Sequence, residues 1–193
     1  MKLNKILIIV FTSTLFFGFS SLTKKSVNIE KSIIKWVGYK LTGQHEGTIT
    51  IKEGELTFEN EALKAGTFVM DMNSISTTDL EGGSKNRLDG HLKNEDFFDV
   101  KKYQTASLKF KTVKPTSKKN RAGNNYFVVA DMTIKGITNE VFFNMTVFEN
   151  SATANLKIDR TKFNITYKSA TLTSIVKDKA IYDEFDLSVK LSF

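Results

Sequence analysis

The sequence predicts a single all-β domain, an antiparallel sheet that is closed into a barrel or folded into a sandwich. Three observations lead to this fold class. From residue 26 onward, apolar and polar residues alternate along most of the chain, as they do in half-buried strands. The 193 residues include only 1 proline, so strand interiors are not interrupted by it. Hydrophobic residues make up 40% of the chain, which is enough to bury one core.

Residues 1–20 have the pattern of a secretory signal peptide. Two lysines make the start positive, residues 6–19 are uncharged and mostly apolar, and Gly18-Phe19-Ser20 is a small-x-small cleavage site. The apolar stretch is shorter than the roughly 18–20 residues that cross a bilayer, which favours cleavage near Ser20 over a retained helix. We therefore expect an exported protein, periplasmic or otherwise outside the cytoplasm, with one β domain over residues 27–193.

Strands are predicted along each alternating segment. In the last segment, Phe185, Leu187 and Val189 face one side of the sheet while the residues between them face the other. Residues 135–139 form a short hairpin connection. The predicted strands are residues 33–40, 47–58, 67–73, 107–113, 126–135, 141–149, 153–160 and 181–193.

One segment in the middle of the chain has a helical pattern instead. Leu88 and Leu92 are one helical turn apart, and Ser84 is a candidate N-cap. We expect a short helical segment around residues 84–98, which ends with Phe97-Phe98. Two adjacent phenylalanines on such a segment must dock into something apolar.

Charge and cysteine content restrict the classes of function. The formal net charge of +7 falls to +5 when the two lysines of residues 1–20 are removed, and export argues against nucleic acid as the partner. Cysteine is absent from the sequence, which excludes disulfides, thiolate metal sites and a cysteine nucleophile. A basic cluster is typical of a solvated loop, or else attracts anionic head groups in transient membrane contact. It comprises Lys111, Lys114, Lys118, Lys119 and Arg121.

The sequence has few candidate catalytic groups. It contains no nucleophile elbow, phosphate loop or dinucleotide fingerprint, and its two histidines, His45 and His91, lack metal-ligand spacing. We predict no enzymatic activity, no metal and no cofactor, with each histidine hydrogen-bonded to the backbone. The alternative is a zinc or iron site that the fold assembles from both histidines and a carboxylate. The candidate carboxylates are Asp71, Asp79 and Asp96.

Methionines recur on the apolar faces of the predicted strands. Met70, Met72, Met132 and Met145 all occupy such positions. Methionine adapts its shape to irregular gaps and suits a surface that holds a flexible apolar ligand. An eight-stranded barrel is either just filled by side chains or able to hold one slender ligand. Both interpretations, an ordinary core and a binding cavity, fit this pattern.

A series of motifs identifies a family. In order, they are Gly43-Gln-His-Glu-Gly47, Gly66-Thr-Phe-Val-Met-Asp-Met-Asn-Ser-Ile75, Leu88-Asp-Gly-His-Leu-Lys-Asn-Glu-Asp-Phe-Phe-Asp-Val100, Asp131-Met-Thr-Ile-Lys-Gly-Ile-Thr138, Asp159-Arg-Thr-Lys-Phe163 and Phe185-Asp-Leu-Ser-Val-Lys190. The series resembles the YceI-like family, which comprises exported, lipocalin-like, polyisoprenoid-binding proteins. The resemblance extends over residues 27–193.

This resemblance implies an extended eight-stranded antiparallel barrel with an apolar channel. The implied ligand is a long-chain amphiphile, which is an isoprenoid, a quinone or a fatty-acyl lipid, and the loop from His91 to Phe98 would lie near the channel mouth. The side chains expected to contact the ligand are the inward-facing residues of the strands together with that loop. They are Trp36, Phe68, Met70, Met72, His91, Phe97, Phe98, Phe110, Met132, Ile134, Phe143, Met145, Phe185 and Leu187.

A second class of function remains open. Phe127, Phe142 and Phe148 place aromatic side chains on the strand faces opposite the predicted interior. Such residues need cover from a helix, a partner subunit or tight packing. A fully packed barrel that pairs with a second copy, as a structural or interaction protein, is therefore the alternative to a lipid carrier.

Overall fold

The computed structural model describes residues 21–116, 123–169, 171–172 and 180–193. The predicted signal peptide, residues 1–20, lies outside this part of the chain, as do three of the five residues of the basic cluster. Among the described residues, no helix has the length and apolar character needed to span a membrane.

Nine strands and one short helix make up the described chain. In order they are β1 (Leu22–Ser26), β2 (Ile33–Lys40), β3 (Gly43–Glu59), β4 (Ala62–Thr77), α1 (Gly82–Lys93), β5 (Thr105–Pro115), β6 (Asn124–Ile134), β7 (Ile137–Val147), β8 (Ser151–Asp159), a 3₁₀ turn (Arg160–Phe163) and β9 (Ile181–Ser192).

Eight of the strands close into an antiparallel barrel. Neighbouring strands follow the order β3-β2-β9-β8-β7-β6-β5-β4, and β4 pairs back onto β3. This confirms the predicted fold class and removes the exposed sheet edges that an open sheet would leave. β1 is an extra strand that pairs with residues 55–59 of β3, with Leu22 opposite Glu59, whereas β2 pairs with residues 43–49 of the same strand.

Alternation along each strand decides which side chains enter the barrel. On β6, Tyr126, Val128, Ala130, Met132 and Ile134 are all buried, and the residues between them are half-buried or exposed. The following turn consists of Lys135 and Gly136, whose φ values of 51° and 75° are typical of a type I′ hairpin. This turn matches the twist of antiparallel strands and fixes the register of β6 and β7.

The helix differs in detail from its prediction. α1 begins at Gly82 and ends at Lys93, so Phe97 and Phe98 lie in the turns that follow it and not in the helix. The prediction that Ser84 caps the helix is wrong, because Glu81 occupies the N-cap position and the Ser84 hydroxyl instead accepts a hydrogen bond from Arg87 at 3.2 Å.

A polar contact attaches α1 to the end of β4. The Asp89 carboxylate accepts hydrogen bonds from the Thr77 backbone N–H at 2.7 Å and from the Lys85 ammonium at 2.9 Å. The Lys85 ammonium also donates to the Thr77 carbonyl. Since both polar groups of the Thr77 backbone are bonded to the helix, α1 is held against the barrel end that carries the β6–β7 hairpin, here called the upper end.

The opposite, lower end of the barrel is filled by side chains. Leu56, Val128 and Ala152 have no exposed surface there. Tyr126 is also buried, and its hydroxyl accepts a hydrogen bond from the Leu63 backbone N–H at 3.1 Å. These buried side chains form the packed floor of the barrel at this end.

Candidate functional site

An apolar cavity of about 160 Å³ lies inside the barrel. Thirteen of the fourteen side chains predicted to contact a ligand border this cavity, and His91 does not. Whether these side chains contact a ligand stays a prediction. The thirteen are Trp36, Phe68, Met70, Met72, Phe97, Phe98, Phe110, Met132, Ile134, Phe143, Met145, Phe185 and Leu187.

The cavity wall also includes residues that were not predicted from the sequence. Many of them continue the same inward alternation, so the pattern that selected Trp36 also applied to Ile34, and the pattern that selected Leu187 applied to Val189 and Leu191. Gly38 and Arg160 gave no such signal, because a residue without a side chain and a charged residue are not expected in an apolar wall. The remaining additional wall residues are Ile49, Ile51, Ile75, Leu92, Ala106, Leu108, Ala154, Leu156, Ile181, Tyr182 and Glu184.

The cavity wall is aromatic and sulfur-rich, and the described residues present no polar surface to it. The ring centroid of Phe110 lies 5.7 Å from that of Phe68 and 5.8 Å from that of Phe143, so three strands contribute one continuous aromatic surface. The indole N–H of Trp36 points away and donates to the Thr48 carbonyl at 3.3 Å. Such a wall can hold hydrocarbon, and Arg160, Tyr182 and Glu184, which also border the cavity, turn no polar surface toward it.

The turns after α1 cover the upper end of the cavity. Phe97 and Phe98 are buried, and their ring centroids are 5.1 Å apart in an edge-to-face arrangement. The His91 ring packs behind them, with centroids 5.6 Å from Phe97 and 4.4 Å from Tyr167. These ring contacts, together with backbone hydrogen bonds such as that from the Phe98 N–H to the Leu92 carbonyl at 3.1 Å, position the two phenylalanines.

The His91 ring is half-buried, and one of its nitrogen atoms is buried without a hydrogen-bond partner. Its Nε2 atom forms no hydrogen bond to any described residue, which differs from the expected hydrogen bond to the backbone. Burial lowers the pKa of His91; Lys168 adds to that effect and Asp96 opposes it. The ring is therefore held in place by packing against Phe97 and Tyr167 and not by a polar contact at Nε2.

Arg160 lies in the upper wall and is only 2% exposed. Its guanidinium donates to the carbonyls of Ile165 at 2.8 Å, Tyr182 at 3.1 Å and Ile181 at 3.1 Å, and it lies 3.4 Å from an Asp183 oxygen. Burial lowers the pKa of Arg160, and the neighbouring carboxylates oppose that effect. The side chain ties the 3₁₀ turn to the start of β9, while its aliphatic part borders the cavity.

The other histidine, His45, contacts Asp79 at the upper end of the barrel. The His45 Nδ1 atom lies 2.8 Å from an Asp79 oxygen, and the second Asp79 oxygen accepts the Glu46 backbone N–H at 3.2 Å. Burial raises the pKa of Asp79, but these hydrogen bonds outweigh it and the pKa is lowered. Across the described ranges, no three histidine, aspartate or glutamate side chains lie together as a metal site would require.

An aromatic pair lies on the outer surface of the described chain. Phe127 on β6 and Phe142 on β7 stack with centroids 6.3 Å apart and an interplanar angle of 14°. Their exposed fractions are 36% and 57%, so neither is covered within the described chain. Phe148 is half-buried. The pair is the feature on which the expectation of a homodimer depends, and that expectation stays a prediction.

Comparison with known proteins identifies relatives of this fold. A family model of the YceI-like domain matches residues 22–193. The chain is similar in structure to BcnA of Burkholderia cenocepacia, with 23% identity, a TM-score of 0.67, and coverage of 86% of this chain and 98% of BcnA. It is also similar to a polyisoprenoid-binding domain from Saccharophagus degradans, with 15% identity, a TM-score of 0.56, and coverage of 89% and 97%. A Campylobacter jejuni YceI protein matches with 16% identity, a TM-score of 0.53, and coverage of 100% and 98%. No curated protein matches the chain significantly.

Proposed function

Because the chain belongs to the YceI-like family, we propose that it is a non-enzymatic protein that binds the apolar chain of an amphiphile inside its barrel. The amphiphile is a polyisoprenoid, a quinone or a fatty-acyl lipid. The observation that carries this proposal is the wholly apolar wall of the cavity. The solved structure of a polyisoprenoid-binding domain with the same fold supports it.

The apolar wall determines which part of the ligand enters. Removing hydrocarbon from water contributes about 25 cal/mol for each Å² of buried apolar surface. A charged or strongly polar head group would lose its hydration without gaining a partner, because the described wall offers none. The ligand therefore binds through its tail, and its head group stays in water.

The size of the cavity requires side chains to move when a long chain binds. A volume of about 160 Å³ is below the roughly 300–1,000 Å³ of typical small-molecule pockets. It is close to the roughly 150 Å³ of an engineered cavity that admits benzene. Met70, Met72, Met132 and Met145 all border the cavity, and methionine has three rotatable side-chain bonds. Their rearrangement supplies the added space.

The site of action in this proposal is outside the cytoplasm, with cleavage near Ser20 and with no metal or cofactor. Transport of the lipid between membranes and storage of it both fit the same barrel. The apolar lipid would be shielded from water in the aqueous space of a bacterial envelope.

A second function is favoured by the exposed pair of Phe127 and Phe142. If this pair forms an interface, the protein is an interaction module whose small cavity is only a packing defect. A stable dimer without an extractable ligand would be its signature.

Mass spectrometry of the purified protein tests the first function. The full chain is expressed in a bacterial host, the processed protein is purified from the envelope, and folded protein is extracted with organic solvent. We expect one stoichiometric amphiphile with a long apolar chain. A blank extract, together with failure of added polyprenol, quinone and fatty acid to bind, would contradict the proposal and favour the interaction module.

A further inference from the structure

Pairing between β2 and β9 is interrupted near the upper end of the barrel. The register runs regularly from Ile33 opposite Lys190 to Gly38 opposite Phe185. The next pair is Lys40 with Ile181, so two residues of β2 span four residues of β9. Extra residues on one strand break the ladder of hydrogen bonds and bend that strand away from its neighbour. We call this interrupted stretch the β2–β9 seam.

The cavity reaches the outer surface at the seam. Tyr182 and Glu184 are exposed residues on β9, yet both border the cavity. Inward-facing residues of β9 are also less covered than those elsewhere, since Phe185 and Leu187 are only half-buried whereas Met132 on β6 is 3% exposed. Both observations place open space beside β9.

Gly38 widens this opening because it has no side chain. It lies on the same face of β2 as Ile34 and Trp36 and borders the cavity. A Cβ atom added at Gly38 would have no atom within 4 Å apart from those of its neighbours in the chain. By contrast, a Cβ at Gly47 would meet the Trp36 ring at 2.5 Å. Close packing therefore explains glycine at position 47 but not at position 38.

Polar contacts cross the seam on its outer side, where Tyr39 lies within the interrupted stretch of β2. The Tyr39 hydroxyl donates to the Asp186 carboxylate at 2.7 Å, and the Lys157 ammonium donates to it at 2.9 Å. These bonds connect β2, β9 and β8 on the outer surface. A chain that passes the seam must therefore pass beside the contact between Tyr39 and Asp186.

We infer that the apolar chain of the ligand enters and leaves sideways through the β2–β9 seam, and that Gly38 sets the width of chain that can pass. The inference rests on the proposed binding function. Two other routes are filled by described side chains: Phe97 and Phe98 cover the upper end, and the packed floor closes the lower end. A tail that passes the seam leaves its head group at the outer surface, where Tyr182 and Glu184 are exposed.

Thiol protection tests the position of the opening. The protein contains no cysteine, so Gly38→Cys introduces a single reactive group. Its rate of labelling by a maleimide is measured with and without the fluorescent fatty acid cis-parinaric acid. We expect the bound fatty acid to slow labelling at least tenfold. Lys35→Cys, which is exposed on the outer face of the same strand, is the control, and its labelling rate should not change.

Narrowing the opening tests the role of Gly38. The association of cis-parinaric acid is measured from the rise in its fluorescence. Gly38→Trp should slow this association at least tenfold, whereas Lys35→Trp should bind at the rate of the unmodified protein. Unchanged association with Gly38→Trp, or unprotected labelling of Gly38→Cys, would overturn the seam as the route while the binding function stands. If the unmodified protein binds neither the probe nor polyprenol and quinone offered in its place, both the seam route and the proposed binding function are wrong.

Discussion

Arg160 brings a charge to the edge of an apolar cavity, yet its guanidinium is directed at the protein backbone. Three carbonyls and the Asp183 carboxylate accept its hydrogen bonds. An arginine with these partners acts as a connection between segments, because displacing them would leave buried carbonyls unsatisfied. Arg160 therefore stabilises the upper wall, and a ligand head group gains no contact from it.

Met132 provides a test of the cavity wall at a single side chain. Met132→Lys places an ammonium group in a wall without polar partners, so binding of an apolar chain should weaken at least about tenfold, or about 1.4 kcal/mol. Titration with cis-parinaric acid measures the affinity. If the lysine variant fails to fold by circular dichroism, Met132→Gln retains the shape and carries the same expectation.

The control for Met132 lies on the neighbouring strand. Lys109 is exposed on the outer face of β5, next to Leu108, which is paired with Met132. Lys109→Gln should leave the affinity unchanged. Equal affinities for folded Met132 and Lys109 variants would contradict the assignment of the inner face.

His91 predicts a dependence of stability on pH. Burial lowers its pKa from 6.5 in the folded state, so between that lowered value and 6.5 the unfolded chain binds more protons. The contribution of His91 to stability is therefore present above pH 6.5 and is lost as the pH falls through this range. His91→Phe preserves the ring packing and removes this dependence.

Urea unfolding at about pH 7.5 and about pH 5 measures the effect of His91. The free energy of unfolding should decrease less between these pH values for His91→Phe than for the unmodified protein. At the higher pH the two proteins should agree within about 1.5 kcal/mol, because the ring volumes are similar. An identical decrease in both proteins would show that another group titrates.

Among the secondary-structure elements, α1 has little intrinsic stability. It has 12 residues, contains three glycines and buries only Leu92, so its position depends on contacts with β4. The Asp89 carboxylate is the main polar contact. Burial raises the pKa of Asp89, but hydrogen bonds from Thr77 and Lys85 outweigh that effect and lower it.

Asp89→Ala should therefore release α1 from the barrel. We expect a loss of about 1.5–3 kcal/mol in the free energy of unfolding, because hydrogen bonds to a charged group are lost and the Thr77 N–H has no replacement acceptor. The hydrogen-exchange rate of the α1 backbone amides should also increase in this variant. Arg87→Ala, an exposed change on the same helix, should cost about 0.5 kcal/mol or less. Equal effects of the two changes would refute this role of Asp89.

The elements also show what the sequence can and cannot predict. β6 was predictable because its buried and uncovered residues alternate without interruption. β1 was not, since only one of its five residues is even half-buried and its pairing with β3 comes from backbone contacts. The N-cap of α1 was also not predictable, because Glu81 makes no side-chain cap that a sequence pattern could reveal.

For the whole molecule, the inward alternation that predicts a closed barrel also predicts most of its cavity wall. What alternation cannot predict is where the wall is open. Gly38 follows the alternation of β2 but contributes no side chain, and the extra residues of β9 become visible only when the two strands are paired. The volume of the cavity cannot be predicted from the alternation either, since the same apolar residues could fill the barrel or leave space.

In the proposed binding mode, the packed floor makes the cavity a dead end. A bound chain would not be pushed out ahead of a second one, because Leu56, Val128 and Ala152 are fully buried at the other end of the barrel. One occupant must depart before the next arrives. Exchange of cargo then proceeds at the departure rate of the resident molecule, however high the concentration of its competitor, and the residence time becomes a property of the barrel and not of its surroundings.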